Sequence, residues 1–383
     1  MANKYNLNPN GDGIHSPLFS QFPVVKKSTP PVVVVGLPRS GSSFLSHILC
    51  QLEDWYVFDD LYPYQRAKAF KIDVAGQMNP KQFKKLLFSL CWQARSQIKY
   101  NYDFFSTNCT LEDIDRFEQA MQTTFAEQSV YWSQFLEEWL MRLALHNHRH
   151  HWGYKTPQDF TNMDKLTDLF PGIRFIFIMR NPTKMMNSMK NLPMQKGGDG
   201  DPRQYHPIVY SLYWKMAYQK VQQFIQAGRA PVQIIKFEDL VKNPEEQAQV
   251  IADFLGTTVS TNLSIEQKNS SFKTTKQQEF TPTESWLCQQ LIGNTVLHSA
   301  GYALEDVKFR IQDIPELIRV TQQFTHYQFQ RFFKDKRARE SIKAYFKNLF
   351  KRFRIKQKIV SGRGEITYLQ SPSFCPRQRP TNK

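Results

Sequence analysis

The chain has 383 residues, of which 41% are hydrophobic, and a formal net charge of +16. That length carries a full core and suggests one large domain or two. No apolar run reaches the roughly 18 residues of a membrane span, the first 23 residues lack an apolar stretch of signal-peptide type, and five cysteines without a Cys-x-x-Cys pair argue against a disulfide framework or a zinc site.

Residues 1–29 are polar and without periodicity, and read as an irregular arm. Val32 to Val35 form an unbroken β-branched run, the pattern of a strand buried on both faces. Gly36, Pro38 and Gly41 punctuate a tight loop. Phe44, Leu45, Ile48 and Leu49 then recur at helical spacing. Strand, small-residue loop and helix form the layout that holds a phosphate, because loop amides and the helix N-terminus point at the anion. Ser40, Ser42 and Ser43 add hydroxyls, and Arg39 adds a fixed cationic fork. A nucleoside-triphosphate loop needs a Lys before its last hydroxyl residue. Ser42 stands there instead, which points to a nucleotide used without obligatory metal.

Trp55 to Phe58 read as a second strand ending in Asp59 and Asp60. Residues 63–150 read as a large helical insertion whose aromatics, including Phe83, Phe117, Trp132, Phe135 and Trp139, supply core. The His-rich run at 146–151 lacks acidic or Cys partners, so no metal is assigned. Residues 151–157 read as a short strand ending in Lys155, Thr156 and Pro157. After a helix near Met163 to Phe170, the apolar run Ile173 to Met179 reads as a core strand. Arg180 ends it, where open α/β sheets place ligand groups. Asn181 can cap the next helix, and Pro182 suits its first position. Ser188 lies eight residues after Arg180, two turns into that helix, so the pair can grip one phosphate from two sides.

Residues 193–207 form a Gly/Pro/Asp-rich loop, and a helix around Tyr210 to Val221 follows. Val232 to Phe237 is expected as another core strand, ahead of Glu238-Asp239-Leu240. Pro244 opens a helix through Leu255 that Gly256 caps. Residues 257–285 read as a polar loop, and one last helix near Trp286 to Ala300 ends in Gly301-Tyr302. Alternation of strands and helices predicts an α/β fold, a mostly parallel sheet flanked by helices, with ligand at the strands' carboxyl ends.

Charge is concentrated at the far end. Residues 331–358 hold 12 Lys/Arg against two Asp/Glu, and the last 53 residues together carry +13 of the +16. Ile342, Tyr345, Phe346, Leu349, Phe350 and Phe353 make an apolar stripe in this basic stretch. Three occupants suit it: an anionic membrane surface, the chain's own domain or a second subunit, and nucleic acid, which fits least. The expected divisions are an arm to 29, a domain over 30–305, a basic helical extension over 306–360 and a disordered tail over 361–383. The expected location is cytoplasmic, with peripheral membrane contact through the 331–358 segment.

Several of these stretches carry a family resemblance. GLPRSGSS at 36–43 resembles the 5′-phosphosulfate loop of the sulfotransferases, and Arg180 with Ser188 resembles their site for the donor's 3′-phosphate. Lys155-Thr156-Pro157 resembles the family's Lys-x-Pro segment beside the reacting centre. KFEDLVKNP at 236–244, FLG at 254–256 and Gly301-Tyr302 agree with the later part of the domain. The likeness is strongest to the group with the bacterial, carbohydrate and tyrosylprotein enzymes. It implies a three-layer P-loop-like fold and 3′-phosphoadenylyl sulfate (PAPS) as co-substrate, with no metal. It implies sulfuryl transfer to a hydroxyl or amine, with a carbohydrate or glycolipid as the expected acceptor. The donor site would then use Pro38, Arg39, Ser40, Gly41, Ser42, Ser43, Arg180 and Ser188.

Arg39 and Lys155 become candidates for stabilising charge on the leaving phosphate. Family members with a carboxylate base carry a Glu about 21 residues after the loop Arg; here Asp60 stands there, with Asp59 beside it, one methylene shorter. His151 and His206 are the other candidate bases. Phe237 stands where the family often has Tyr, which removes a hydroxyl. The late loop usually adds a Ser and a Lys, and Ser270, Ser271, Lys273 and Lys276 all qualify. Two alternatives differ in class. A degenerate P-loop kinase or nucleoside triphosphatase would need Mg²⁺, with Glu238 or Asp239 as metal carboxylate. A non-catalytic nucleotide-binding protein would work through its basic tail.

Overall fold

The computed structural model describes residues 30–100, 107–125, 129–191, 205–259, 280–303, 307 and 309–334. In chain order these form β1 (Val32–Gly36), α1 (Ser42–Leu49), β2 (Trp55–Phe58), α2 (Pro63–Ala69), β3 (Gln77–Met78), α3 (Pro80–Lys99), α4 (Leu111–Phe125), β4 (Val130–Tyr131) and α5 (Trp132–His146). Then come β5 (His151–Lys155), a 3₁₀ turn (Pro157–Thr161), α6 (Met163–Leu169), β6 (Arg174–Met179), α7 (Pro182–Lys190), α8 (Pro207–Gln226) and β7 (Val232–Lys236). The described chain closes with α9 (Phe237–Lys242), α10 (Pro244–Leu255), α11 (Pro282–Ile292), α12 (Asn294–Ser299) and α13 (Ile314–Lys334). One compact unit runs to Val320 and a second begins at Thr321. The arm and almost all of the basic tail lie outside the described residues.

Five strands make one parallel sheet in the order β2-β5-β1-β6-β7. The chain leaves β1 for the edge at β2, returns through β5, and crosses to β6 and β7. Strand order therefore reverses beside β1, and the crevice at its carboxyl end is where such sheets bind ligands. The four consecutive valines of β1 are fully buried because both faces are covered. Val32 and Val34 pack with Leu45 and Ile48 of α1 and Ile251 of α10. Val33 and Val35 belong to the core on the other side, with Trp139 of α5 and Trp214 of α8. Gly36 ends β1 against Ile178, whose carbonyl oxygen would lie 2.5 Å from any added Cβ.

The described residues of 63–150 form mainly helices, α2 to α5, with one short antiparallel pair, β3 and β4. The insertion's aromatics are core: Phe83, Phe117, Trp132, Phe135 and Trp139 are all buried. Asn79 and Gln82 form a reciprocal capping box at the start of α3, so this 20-residue helix is well anchored at its N-terminus.

Three boundaries differ from expectation. Helix α11 already begins at Pro282, inside the stretch read as a polar loop through 285. Strand β7 stops at Lys236, because Phe237 already begins α9. The single last helix is two, broken at Gly293 (φ 88°, ψ 139°), a backbone shape that ends α11.

Candidate active site

The loop after β1 is tightly wound. Ser40 N–H donates to the Leu37 carbonyl at 3.2 Å, and left-handed backbone at Arg39 (φ 67°) and Gly41 (φ 89°) flanks Ser40. Gly41 is required twice over: its φ suits glycine, and an added Cβ would lie 2.1 Å from the Phe237 ring. Phe237 is thus a packing floor for the loop, which explains an aromatic ring there without a hydroxyl. Pro38 is part-buried within the turn, and Ser42 opens α1. No side chain caps α1 and no acid sits in its first turn, which leaves its leading amides open to an anion. Ser40 is fully buried and its Oγ has no partner.

Arg180 and Ser188 arrive at this loop from β6 and α7. Arg180 Nη1 donates to the Arg39 carbonyl at 3.1 Å, and Arg39 Nε donates to Ser188 Oγ at 3.2 Å. The Arg180 guanidinium lies over the Phe237 ring, 4.6 Å from its centroid. Burial lowers the pKa of both arginines, and Arg39 pushes that of Arg180 further down. The buried Arg180 Nε has no partner. A buried donor of this kind costs on the order of 1–3 kcal/mol unless something accepts from it. The backbone around Arg180 is held firmly. Its carbonyl accepts from Trp214 Nε1 at 3.0 Å, Asn181 caps α7 through Lys184 N–H, and Asn181 N–H donates to Glu238 Oε1 at 3.0 Å. Glu238 Oε2 accepts from the Tyr302 hydroxyl at 3.0 Å. Both oxygens of Glu238, in the first turn of α9, therefore serve this frame, which ties α7 and Tyr302 to the end of β7.

A second cluster sits at the carboxyl ends of β2 and β5. Lys155, only 2% exposed, places Nζ 2.5 Å from Asp60 Oδ1, 3.0 Å from Asp59 Oδ1 and 3.0 Å from Ser43 Oγ. Ser43 Oγ in turn donates to Asp59 Oδ2 at 3.3 Å. Burial raises the pKa of the Asp59 carboxyl, against the pull of Lys155. Asp60 is the open one, with 41% of its side chain exposed. Asp60 and Tyr62 both take left-handed backbone (φ 53° and 51°). The Tyr62 hydroxyl donates to Asp60 Oδ1 at 3.1 Å, and its N–H donates to Thr156 Oγ1 at 2.9 Å. Gln97 of α3 donates to the Asp59 carbonyl at 2.7 Å. Strained backbone at Arg39, Asp60 and Tyr62 falls at one end of one sheet, as strain at functional sites does.

The structure thus gathers Arg39, Ser40, Arg180 and Ser188 into one grip, and Ser43, Lys155, Asp59 and Asp60 into another. The two candidate histidines go elsewhere. His151 begins β5, at the opposite end of that strand from Lys155, stacked on Trp55 with centroids 4.8 Å apart. His206 is buried with Nε2 3.2 Å from the Val320 carbonyl. Ser270, Ser271, Lys273 and Lys276 lie outside the described residues. Sequence reading missed Tyr62 and Gln97. Nothing local marks a buried glutamine in a long helix, whereas a Tyr-Pro step just after two acids is a turn signal worth testing.

No curated protein matches the chain. Among solved structures, it is similar to the sulfotransferase domain from the Synechococcus PCC 7002 olefin synthase (18% identity, 80% of this chain and 98% of that one, TM-score 0.43). It is also similar to the sulfotransferase domain from the curacin biosynthetic pathway (16%, 78% and 99%, 0.41). A third is a sulfotransferase from Alicyclobacillus acidocaldarius (13%, 73% and 98%, 0.38). A family model described as "Sulfotransferase family" matches residues 30–261, more than half the chain and the whole span from the loop after β1 to Ser188 and beyond. On that match the chain belongs to the sulfotransferase family.

Proposed function

We propose that the chain transfers the sulfuryl group of 3′-phosphoadenylyl sulfate (PAPS) to an acceptor hydroxyl, on a carbohydrate or glycolipid, by in-line displacement. The observation that carries this reading is the meeting of Arg39 with Ser188 and Arg180, 149 positions apart in the first pair, around orphaned buried donors. Two adjacent guanidiniums, an unpartnered Ser40 hydroxyl and an uncapped helix start fit a ligand with phosphate at both ends. Arg180 and Ser188 would hold the 3′-phosphate; the amides of the loop and of α1, with Arg39, Ser40, Ser42 and Ser43, would hold the 5′ end. When bound, the donor supplies the sulfuryl group and a phosphate leaving group.

The chain's own residues do the rest. Asp60, the exposed carboxylate of its pair, accepts the acceptor's proton at Oδ2, the oxygen that Lys155 and Tyr62 leave open. Lys155 supplies positive charge where the leaving oxygen becomes negative, which favours the transition state over the ground state. Asp59 and Ser43 position Lys155, and Tyr62 positions Asp60. Free buried thiols at Cys50, Cys91, Cys109 and Cys288 support a reducing, cytoplasmic setting. The 331–358 segment is our candidate for contact with an anionic membrane.

Titration calorimetry tests the donor assignment. Tight binding of 3′-phosphoadenosine 5′-phosphate without Mg²⁺ is expected; preference for ATP with Mg²⁺ required would replace this reading with a kinase or triphosphatase. A screen of hydroxyl acceptors with radiolabelled donor then identifies the substrate.

A further inference from the structure

Helix α3 buries one face and leaves the other bare in an unusual way. Phe83, Leu86, Leu87, Leu90, Cys91, Ala94 and Gln97 point into the core. Phe88 and Trp92 are 56% and 55% exposed, and Tyr100 beyond the last turn is 67% exposed. Lys81, Lys84, Lys85 and Lys99 are exposed as well. At 3.6 residues per turn, Lys81, Lys85, Phe88, Trp92 and Lys99 fall within about 60° of arc along about 27 Å of helix, with Lys84 beside them. The helix contains no acidic residue. Its Arg95 is engaged with Asp115 and Glu118 of α4, and the exposed Glu112 of α4 pairs with Arg116 of its own helix.

From this face we infer a docking surface for an anionic lipid bilayer, lying on α3 with Phe88 and Trp92 entering the headgroup boundary and the lysines meeting lipid charge. Adjacent aromatics bracketed by lysines at both ends are what an interfacial helix presents. Charge argues against a second copy as occupant, since a symmetric contact would set four lysines against four. Single-stranded nucleic acid is recognised in grooves that stack successive bases, and here the aromatics stand on a convex helix. The inference does not depend on the basic tail, which lies in the other unit, nor on the nature of the donor. It has a consequence for activity, because α3 also holds the Asp59 carbonyl through Gln97. The face that meets lipid and the contact that supports the catalytic carboxylates share one rigid helix.

Trp92 makes the test specific, because it is the one exposed tryptophan of the seven. The full chain is mixed with phosphatidylcholine vesicles, with or without phosphatidylserine, carrying brominated acyl chains. Sedimentation with phosphatidylserine vesicles and quenching that disappears in Trp92→Phe, with binding retained, is the expected result. The triple variant K81E/K84E/K85E should lower partitioning by about tenfold or more and abolish the quenching. The inference is overturned if the chain fails to bind, or if it binds with Trp92 unquenched, which would leave binding to the tail. Equal partitioning of the triple variant overturns it too. So does a finding that Phe88→Ser and Trp92→Ser dissociate a dimer or abolish oligonucleotide binding instead.

Discussion

The two side-chain clusters at the head of the sheet are built on opposite electrostatic plans. Around Arg39, Arg180 and Ser188, two half-buried cations stand together, and the nearby carboxylate, Glu238, gives both oxygens to Asn181 and Tyr302. Around Lys155, one buried ammonium faces two carboxylates and a hydroxyl within 3.0 Å. The first cluster concentrates positive charge beside a buried donor without a partner, Arg180 Nε, which suits it to binding an anion. The second already pairs its ammonium with carboxylates at rest, so it can lend charge to a reacting centre without holding the ligand tightly. Binding and turnover should therefore separate by mutation.

The largest effect tests the second cluster. Lys155→Ala should lower the rate of radiolabelled sulfuryl transfer by about 100-fold or more, while the affinity for 3′-phosphoadenosine 5′-phosphate changes little. Melting is followed alongside, since the variant leaves Asp59 buried beside a lost partner. A fall in affinity as large as the fall in rate would merge the two clusters into one. Arg180→Ala is the converse. Losing a charge-assisted bidentate donor should weaken the same nucleotide by about 30-fold in calorimetry, and saturating donor should recover most of the rate.

A smaller effect concerns the floor beneath the second cluster. Asp159, in the 3₁₀ turn after Pro157, is buried, accepts from Asn162 Nδ2 at 3.0 Å and from Tyr154 at 3.3 Å, and has its pKa pushed up to about 7 by burial. The folded state then holds a proton that the unfolded state has already released. Stability accordingly falls as pH rises between the unfolded carboxylate value and about 7, and levels off above it. Between pH 5.5 and 7 the fall from this group should be about 1.5 kcal/mol. Asp159→Asn should flatten that slope in urea unfolding; an unchanged slope would show that the group is already ionised. The smallest expected change is Tyr62→Phe. Removing one hydrogen bond to Asp60 should reduce turnover by about 3- to 10-fold with donor affinity intact.

Much of this site is legible in the residues themselves. Val32–Val35 reads as a doubly buried strand because nothing polar interrupts it. Gly41 reads as a turn, and Arg180-Asn181-Pro182 reads as strand end, cap and first helical residue, since each depends on near neighbours along the chain. Partners that lie far off are not legible. Gln97 meets Asp59 from 38 positions away and Tyr302 meets Glu238 from 64, and a polar residue on a helix looks alike whether it faces water or a buried carbonyl. The break at Gly293 was hidden by apolar spacing that continues through it.

By itself, then, the order of residues determined the alternation of strands and helices, the glycine-serine loop after β1 and the residue types on offer at each strand end. Only the folded sheet decided which of them meet. By setting β5 on one side of β1 and β6 on the other, it delivers Lys155 to the carboxylates that follow β2 and Arg180 to the loop after β1. Side-chain pattern reports the surroundings within a few residues, whereas the charge balance of a site depends on which distant strands become neighbours.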